Sequence, residues 1–278
     1  MRIPRYWAKA SLPCLIQGRS VSIHCWRGSS QDQSEAQIRA QEAVRRAVDR
    51  IQSGQPAAQY DYQNGELREE ILQELPGSEG EPVAILSRNR YGSEVLNAEG
   101  LFFADIDLKP LSLWSRLLKL FGRPVLEPED AAIAKLVDYC RSNPRWGFRI
   151  YRTFNGLRLM APHEPQDPTH PATVAVQEQL GSDRLFVRLC RFQKSFRARL
   201  SPKPWRIGLP RPDSFPREGG EAEARFRLWL GSYQRASEGH AVCRFLKIVG
   251  SEQVHPSLKP LVRLHDERSK AFSDLPLA

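Results

Sequence analysis

The stretch EGLFFADIDLKP, residues 99–110, decides how this chain folds. An apolar run from Leu101 to Ala104 leads into Asp105 and Asp107, with Ile106 alone between them. Side chains two apart on a strand share a face, so a strand here leaves the core carrying two carboxylates on one side, their Cα atoms about 6–7 Å apart. Two ionised carboxylates that close repel unless a cation lies between them. Hard oxygen ligands of this kind suit Mg²⁺ or Mn²⁺, and such an ion in turn holds phosphate oxygens. The plainer alternative is a solvated strand end whose aspartates cap a helix beginning near Leu111.

Working outward, EPVAILSRNRYG (81–92) and SEVLNAEGLFFADIDL (93–108) read as two strands of one sheet. LSLWSRLLKLFG (111–122) and EPEDAAIAKLVDYCRSNP (127–144) read as helices, the second opened by acids and stopped by Asn143-Pro144. In the first of these, Trp114, Leu117, Leu118 and Phe121 have helical spacing, with Arg116 and Lys119 opposite. WGFRIYRT (146–153) and GLRLMAP (156–162) form a hairpin about its tip, and a Pro-rich loop leads to a short helix near Val174–Leu180. The last third holds a helix over 221–237, a strand over 241–250 and a final helix near Ser257–Phe272.

On the N-terminal side, residues 1–30 suggest one or two short strands. Asp32 and Glu35 form a capping box for a helix over 34–52, with Ile38, Ala43, Val44, Ala47 and Ile51 on its inner face. SGQPAAQ (53–59) marks a boundary between an N-terminal strand/helix unit, 1–55, and a main domain, 56–278; Asn64-Gly65 signals a turn just beyond it. Strands and helices alternate without a glycine-rich phosphate loop. The predicted class is therefore α+β, a mixed or antiparallel sheet packed with helices.

Composition narrows the partners. A 278-residue chain with 41% hydrophobic residues can build a real core, its mean hydropathy of −0.49 is not that of a membrane protein, and no apolar run is long enough to span a bilayer. Five scattered cysteines, never spaced as CxxC, read as reduced thiols in a cytoplasmic protein without disulfides. The net charge of +9 points to polyanion contact, either nucleic acid or nucleoside triphosphate. No Gly-x-Ser-x-Gly elbow is present and no cysteine has a clear histidine partner, which argues against acyl transfer.

Two segments concentrate the positive charge. In RIYRTFNGLRLMAP (149–162), Gly156 lets the backbone approach a ligand closely, and Arg158 beside the tip offers a planar fork suited to phosphate. Residues 184–206 carry Arg184, Arg188, Arg191, Lys194, Arg197, Arg199, Lys203 and Arg206 with no acid among them, interleaved with Phe186, Phe192, Phe196 and Trp205. Cations neutralise phosphates while ring faces stack on bases, so this ribbon is the predicted polyanion surface. His265-Asp266 reads as a surface pair on the last helix, or as metal ligands.

The order of these motifs resembles the archaeo-eukaryotic primase/polymerase superfamily, over about residues 83–200; the polymerase domains of bacterial end-joining ligases are the nearest comparison. The resemblance implies a primase/polymerase-like palm in which Asp105 and Asp107 hold Mg²⁺ or Mn²⁺. It implies nucleotidyl transfer, with Arg152 and Arg158 steadying phosphates and Asp266 as a third metal-binding carboxylate. Two departures stand in the residues: Arg158 occupies the place of the family's nucleotide-contacting histidine, and no carboxylate follows Asp183 where a third motif would end. Two alternatives stay open, a non-catalytic basic nucleic-acid-binding module of the same fold and a metal-dependent phosphoryl hydrolase.

Overall fold

The computed structural model describes residues 1, 3–16, 18–54, 67–77, 80–108, 110, 114, 121 and 126–278. The turn expected at Asn64-Gly65, most of the boundary segment and nearly all of the helix expected over 111–122 lie outside these residues. Among the described residues, ten strands and six α-helices form an α+β architecture whose paired strands all run antiparallel.

The N-terminal strands β1 (Tyr6–Ile16) and β2 (Arg19–Ser29) are longer than the sequence suggests, eleven residues each, paired from Tyr6↔Ser29 to Ile16↔Arg19. Helix α1 (Gln33–Gln52) packs on this hairpin. Asp32 accepts the Glu35 backbone N–H at 2.7 Å, as the capping signal requires. The inner face is Ala36, Ala40, Ala43, Val44 and Val48, which meets Ala8 and Ala10 of β1. Ile38, expected inside, is 57% exposed: small alanines let the helix seat closely on the hairpin, so close fit outweighs the larger side chain.

The remaining strands make two four-stranded sheets. One has the order β3 (Glu70–Pro76), β4 (Pro82–Arg88), β5 (Glu94–Ala98), β9 (Phe196–Arg199). The other has the order β10 (Cys243–Gly250), β7 (Gly147–Thr153), β8 (Gly156–Ala161), β6 (Phe102–Asp107). The segment read as a single strand, 93–108, is thus broken at Glu99–Leu101 into β5 and β6, which belong to different sheets. Glu99-Gly100 is the local break, but strand signals on either side of it do not say which sheet each half joins. Phe102 of β6 and Phe196 of β9, 5.4 Å apart, join the sheets in one core.

Side-chain parity divides the β6-containing sheet into two faces. One packs against α2 (Pro128–Ser142), through Leu136 and Tyr139 against Phe148 and their neighbours. The other carries Asp105, Arg158 and Tyr151 in register across three strands, and α6 (Lys259–Arg268) lies over it. Helices α3 (Pro171–Gln179) and α4 (Arg184–Gln193) follow β8, and the Asp183 side chain caps α4 by accepting the Phe186 N–H at 2.9 Å. Helix α5 (Gly219–Glu238) precedes β10. All five cysteines are free thiols, and no helix among the described residues is long and apolar enough to cross a membrane.

Candidate phosphate-binding site

The two aspartates lie at the open end of edge strand β6. Asp105 faces Arg158 of β8 in register, and Arg158 Nε donates to Asp105 Oδ1 at 3.1 Å. The guanidinium is almost completely enclosed, whereas the Asp105 side chain keeps 37% of its surface open. Asp107, one pleat further on, is exposed and opposite Gly156. Gly156 is required there, since a Cβ would stand 2.0 Å from the Ile106 carbonyl oxygen. Its close approach is therefore to β6 itself, not to a ligand as its place at the hairpin tip suggests.

Behind the pair runs a buried polar chain. Arg158 Nη1 donates to the Arg199 carbonyl at 2.9 Å and meets His265 Nε2 at 3.4 Å. Arginine has no acceptor, so Nε2 must accept and His265 must carry its proton on Nδ1, which donates to Asp266 Oδ1 at 3.0 Å. Asp266 also accepts from Tyr151 Oη and Arg149 Nη2, both at 2.7 Å. Burial drives the His265 pKa down to about 4, with the Arg158 charge adding to it, and the hydrogen bond to Asp266 offsets only part. Burial raises the Asp266 pKa, but the hydrogen bonds from His265 and Tyr151 and the Arg149 charge outweigh it, so its net shift is downward.

His265-Asp266 is therefore an interior pair, not a surface one, because Leu261, Val262 and His265 turn one face of α6 onto the sheet. Asp266 connects to Asp105 only through His265 and Arg158, and it is not a third ligand beside Asp105 and Asp107. No group of three His, Cys, Asp or Glu converges among the described residues.

The basic ribbon divides. Arg184, Arg188 and Arg191, together with Lys194 just beyond the helix, form an exposed stripe on α4, spaced three and four apart. Arg197 is not a surface cation: it bonds Glu69 at 2.6 Å and Asn97 at 2.7 Å, and contacts Gln193, on the inside of the β9 sheet. Phe196 is fully buried and Phe186 packs on the core, so neither is a stacking platform. Arg152 also leaves the site. Strand parity places it on the α2 face, opposite Arg158, where it pairs with Glu129.

What remains of the ribbon, Arg199, Lys203 and Arg206, gathers near the aspartates. The loop is clamped: Ser93 Oγ and Tyr233 Oη donate to the Pro202 carbonyl at 2.8 and 2.5 Å, and the Glu94 N–H donates to Ser201 Oγ at 2.8 Å. Arg199 has a buried Nε without a hydrogen-bond partner and forms no ion pair among the described residues. Burial, then Arg158 and Arg206, lower its pKa, with Asp105 opposing; it stays a cation at neutral pH. Burial, then Arg199 and Arg206, bring Lys203 down to about 8 against the pull of Asp107 and Asp105. Arg206 lies 4.1 Å from the Phe154 ring centroid, at the exposed β7–β8 tip. Four cations thus meet two carboxylates, and among the described residues Arg158 alone of the four forms an ion pair. Such a locus attracts a multivalent anion.

Sequence reasoning found Arg158, Arg199, Lys203 and Arg206 but not Tyr91, Phe154 or Arg211, which border them; the K-P-W-R run was the one local cue to that aromatic neighbourhood. Comparison with protein-family models, with curated proteins and with solved structures gives no match.

Proposed function

We propose that the β6 rim binds the phosphates of a nucleotide or nucleic acid, with Arg199, Lys203 and Arg206 as phosphate ligands and Asp105 and Asp107 as the seat of Mg²⁺ or Mn²⁺. The trio of cations beside the two carboxylates, none of the three in an ion pair among the described residues, is the observation that supports this reading. The donor set suits a metal: Asp105 Oδ1 is engaged by Arg158, but the Asp105 side chain stays partly open, and Asp107 on the same strand face is exposed. A metal seated there supplies charge neutralisation to a triphosphate. Arg158 fixes the Asp105 carboxylate in place, and the trio orients the anion. On this basis the resemblance to primase/polymerases extends to a proposed nucleotidyl transfer.

A specific observation favours the second reading, a non-catalytic nucleic-acid-binding module. Asp105 already has a cationic partner, Asp266 is occupied elsewhere, and Arg158 stands where the family has histidine. One experiment separates them. Mn²⁺ and a nucleoside triphosphate are titrated against wild type and Asp107→Asn, followed by extension of a labelled primer–template. Asp107 is the cleaner substitution because it has no ion pair among the described residues, whereas Asp105→Asn strands Arg158. Metal-dependent extension abolished by Asp107→Asn supports the transferase. Salt-sensitive binding that needs no metal and survives the substitution supports the module. Absence of any phosphate binding refutes both.

A further inference from the structure

Beside the cations lies a set of rings that the phosphate-binding reading does not use. Trp205 directly follows the clamped segment, is 43% exposed and meets Tyr91 edge-on at 5.2 Å. Arg211 lies over both rings, 4.8 Å from Tyr91 and 4.9 Å from Trp205. Lys203 reaches to 5.5 Å of the Trp205 centroid while also sensing Asp105 and Asp107, so this ledge adjoins the phosphate locus directly. On the other side, Arg206 connects the locus to Phe154, which is 52% exposed. Exposed rings at both borders of the cation cluster give alternating stacking and phosphate positions. Base stacking requires an open π-face on the nucleic acid, which a duplex keeps closed by pairing and its own stacking.

We infer that the site takes a single-stranded nucleic acid rather than a duplex, with one base on Trp205, a second on Phe154 and the phosphate between them held by Lys203 and Arg206. This rests on the phosphate-binding reading and adds the strandedness of the ligand and the base subsites. The edge contact from Tyr91 and the cation from Arg211 hold the Trp205 indole against rotation, so the platform is formed before the ligand arrives.

The test measures equilibrium binding of a fluorescent oligodeoxyadenylate single strand, of a duplex of the same length and of inorganic tripolyphosphate to wild type, Trp205→Ala, Trp205→Phe and Phe154→Ala. The expected result is a preference for the single strand. Trp205→Ala and Phe154→Ala should each weaken single-strand binding roughly 5- to 100-fold and leave tripolyphosphate unchanged, whereas Trp205→Phe should keep most of the single-strand affinity. Equal affinity for duplex and single strand, or ring substitutions without effect on the single strand, overturns the inference while tripolyphosphate binding still stands. Loss of tripolyphosphate binding in wild type would instead strike at the phosphate locus. Both rings being half exposed, circular dichroism should show the variants folded; a variant that binds tripolyphosphate normally confirms it.

Discussion

Lys203 offers the sharpest test of the phosphate locus, because its charge is weakened by the same neighbours that would share an anion with it. Burial and the charges of Arg199 and Arg206 hold it at about 8, against an ordinary lysine value of 10.5. It is charged below pH 8 and neutral above, so anion affinity is full at pH 7 and declines on the alkaline side. A bound phosphate neutralises the neighbours' repulsion and returns the lysine toward its ordinary value, which makes the loss about tenfold per pH unit beyond 8. Between pH 7 and 9 that amounts to about tenfold; with Lys203 only half buried, solvent screening reduces it to roughly three- to tenfold. An oligodeoxyadenylate is the right probe because its phosphodiesters and bases do not titrate in this window. Fluorescence anisotropy at constant ionic strength reads the affinity. Lys203→Arg should bind at pH 7 much as wild type does and lose the pH dependence, since guanidinium stays charged throughout. A flat profile in wild type, or the same slope in Lys203→Arg, refutes the argument.

Other consequences follow from the interior polar chain and the strand contacts. With the His265 pKa at about 4 in the fold and near 6.5 when unfolded, its stabilising contribution is complete above pH 6.5 and is lost as pH falls toward 4. The loss is about 3 kcal/mol, readable as urea unfolding at stepped pH, and His265→Asn should flatten it; an unchanged slope in the variant contradicts the assignment. Arg158→Met should destabilise by about 2–3 kcal/mol, because it leaves the buried Arg199 carbonyl and His265 Nε2 without their donor; a loss under 1 kcal/mol would show the chain to be dispensable. Gly156→Ala should cost roughly 3 kcal/mol by forcing β8 away from the Ile106 carbonyl, seen as a thermal midpoint lowered by about 6–12 °C. By contrast, Arg191→Ala on the α4 stripe should leave tripolyphosphate binding unaffected; a marked loss would mean that the stripe and the β6 rim act as one surface.

Much of this architecture is legible in the residues. The Asp-x-Asp end of β6, the β7–β8 hairpin, the capped start of α1, the acidic first turn of α2 and the antiparallel α+β class all follow from local rules: two-residue parity, turn glycines, caps and helical spacing. Those rules act over a few residues and survive into the fold intact. Which basic residues remain available is another matter. Arg152 and Arg158 are equivalent in sequence, yet one is taken by Glu129 and the other by Asp105, because strand parity sends them to opposite faces and only assembly determines what lies there. Likewise, Arg197 and Arg199 differ by one pleat repeat but meet different surroundings, Glu69 and Asn97 for the first and the cations Arg158 and Arg206 for the second.

The sequence by itself determined the charge excess, the carboxylate pair and the segment that carries the cations, since these are properties of residue type and spacing. Tertiary structure alone decided that Asp266 belongs to an interior chain with His265, that β5 and β6 part into two sheets, and that Phe154, Tyr91, Trp205 and Arg211 border the same rim. Burial and long-range pairing set those outcomes. Tyr91, Phe154 and Trp205 are brought together from positions far apart in the chain, and no local pattern encodes that approach.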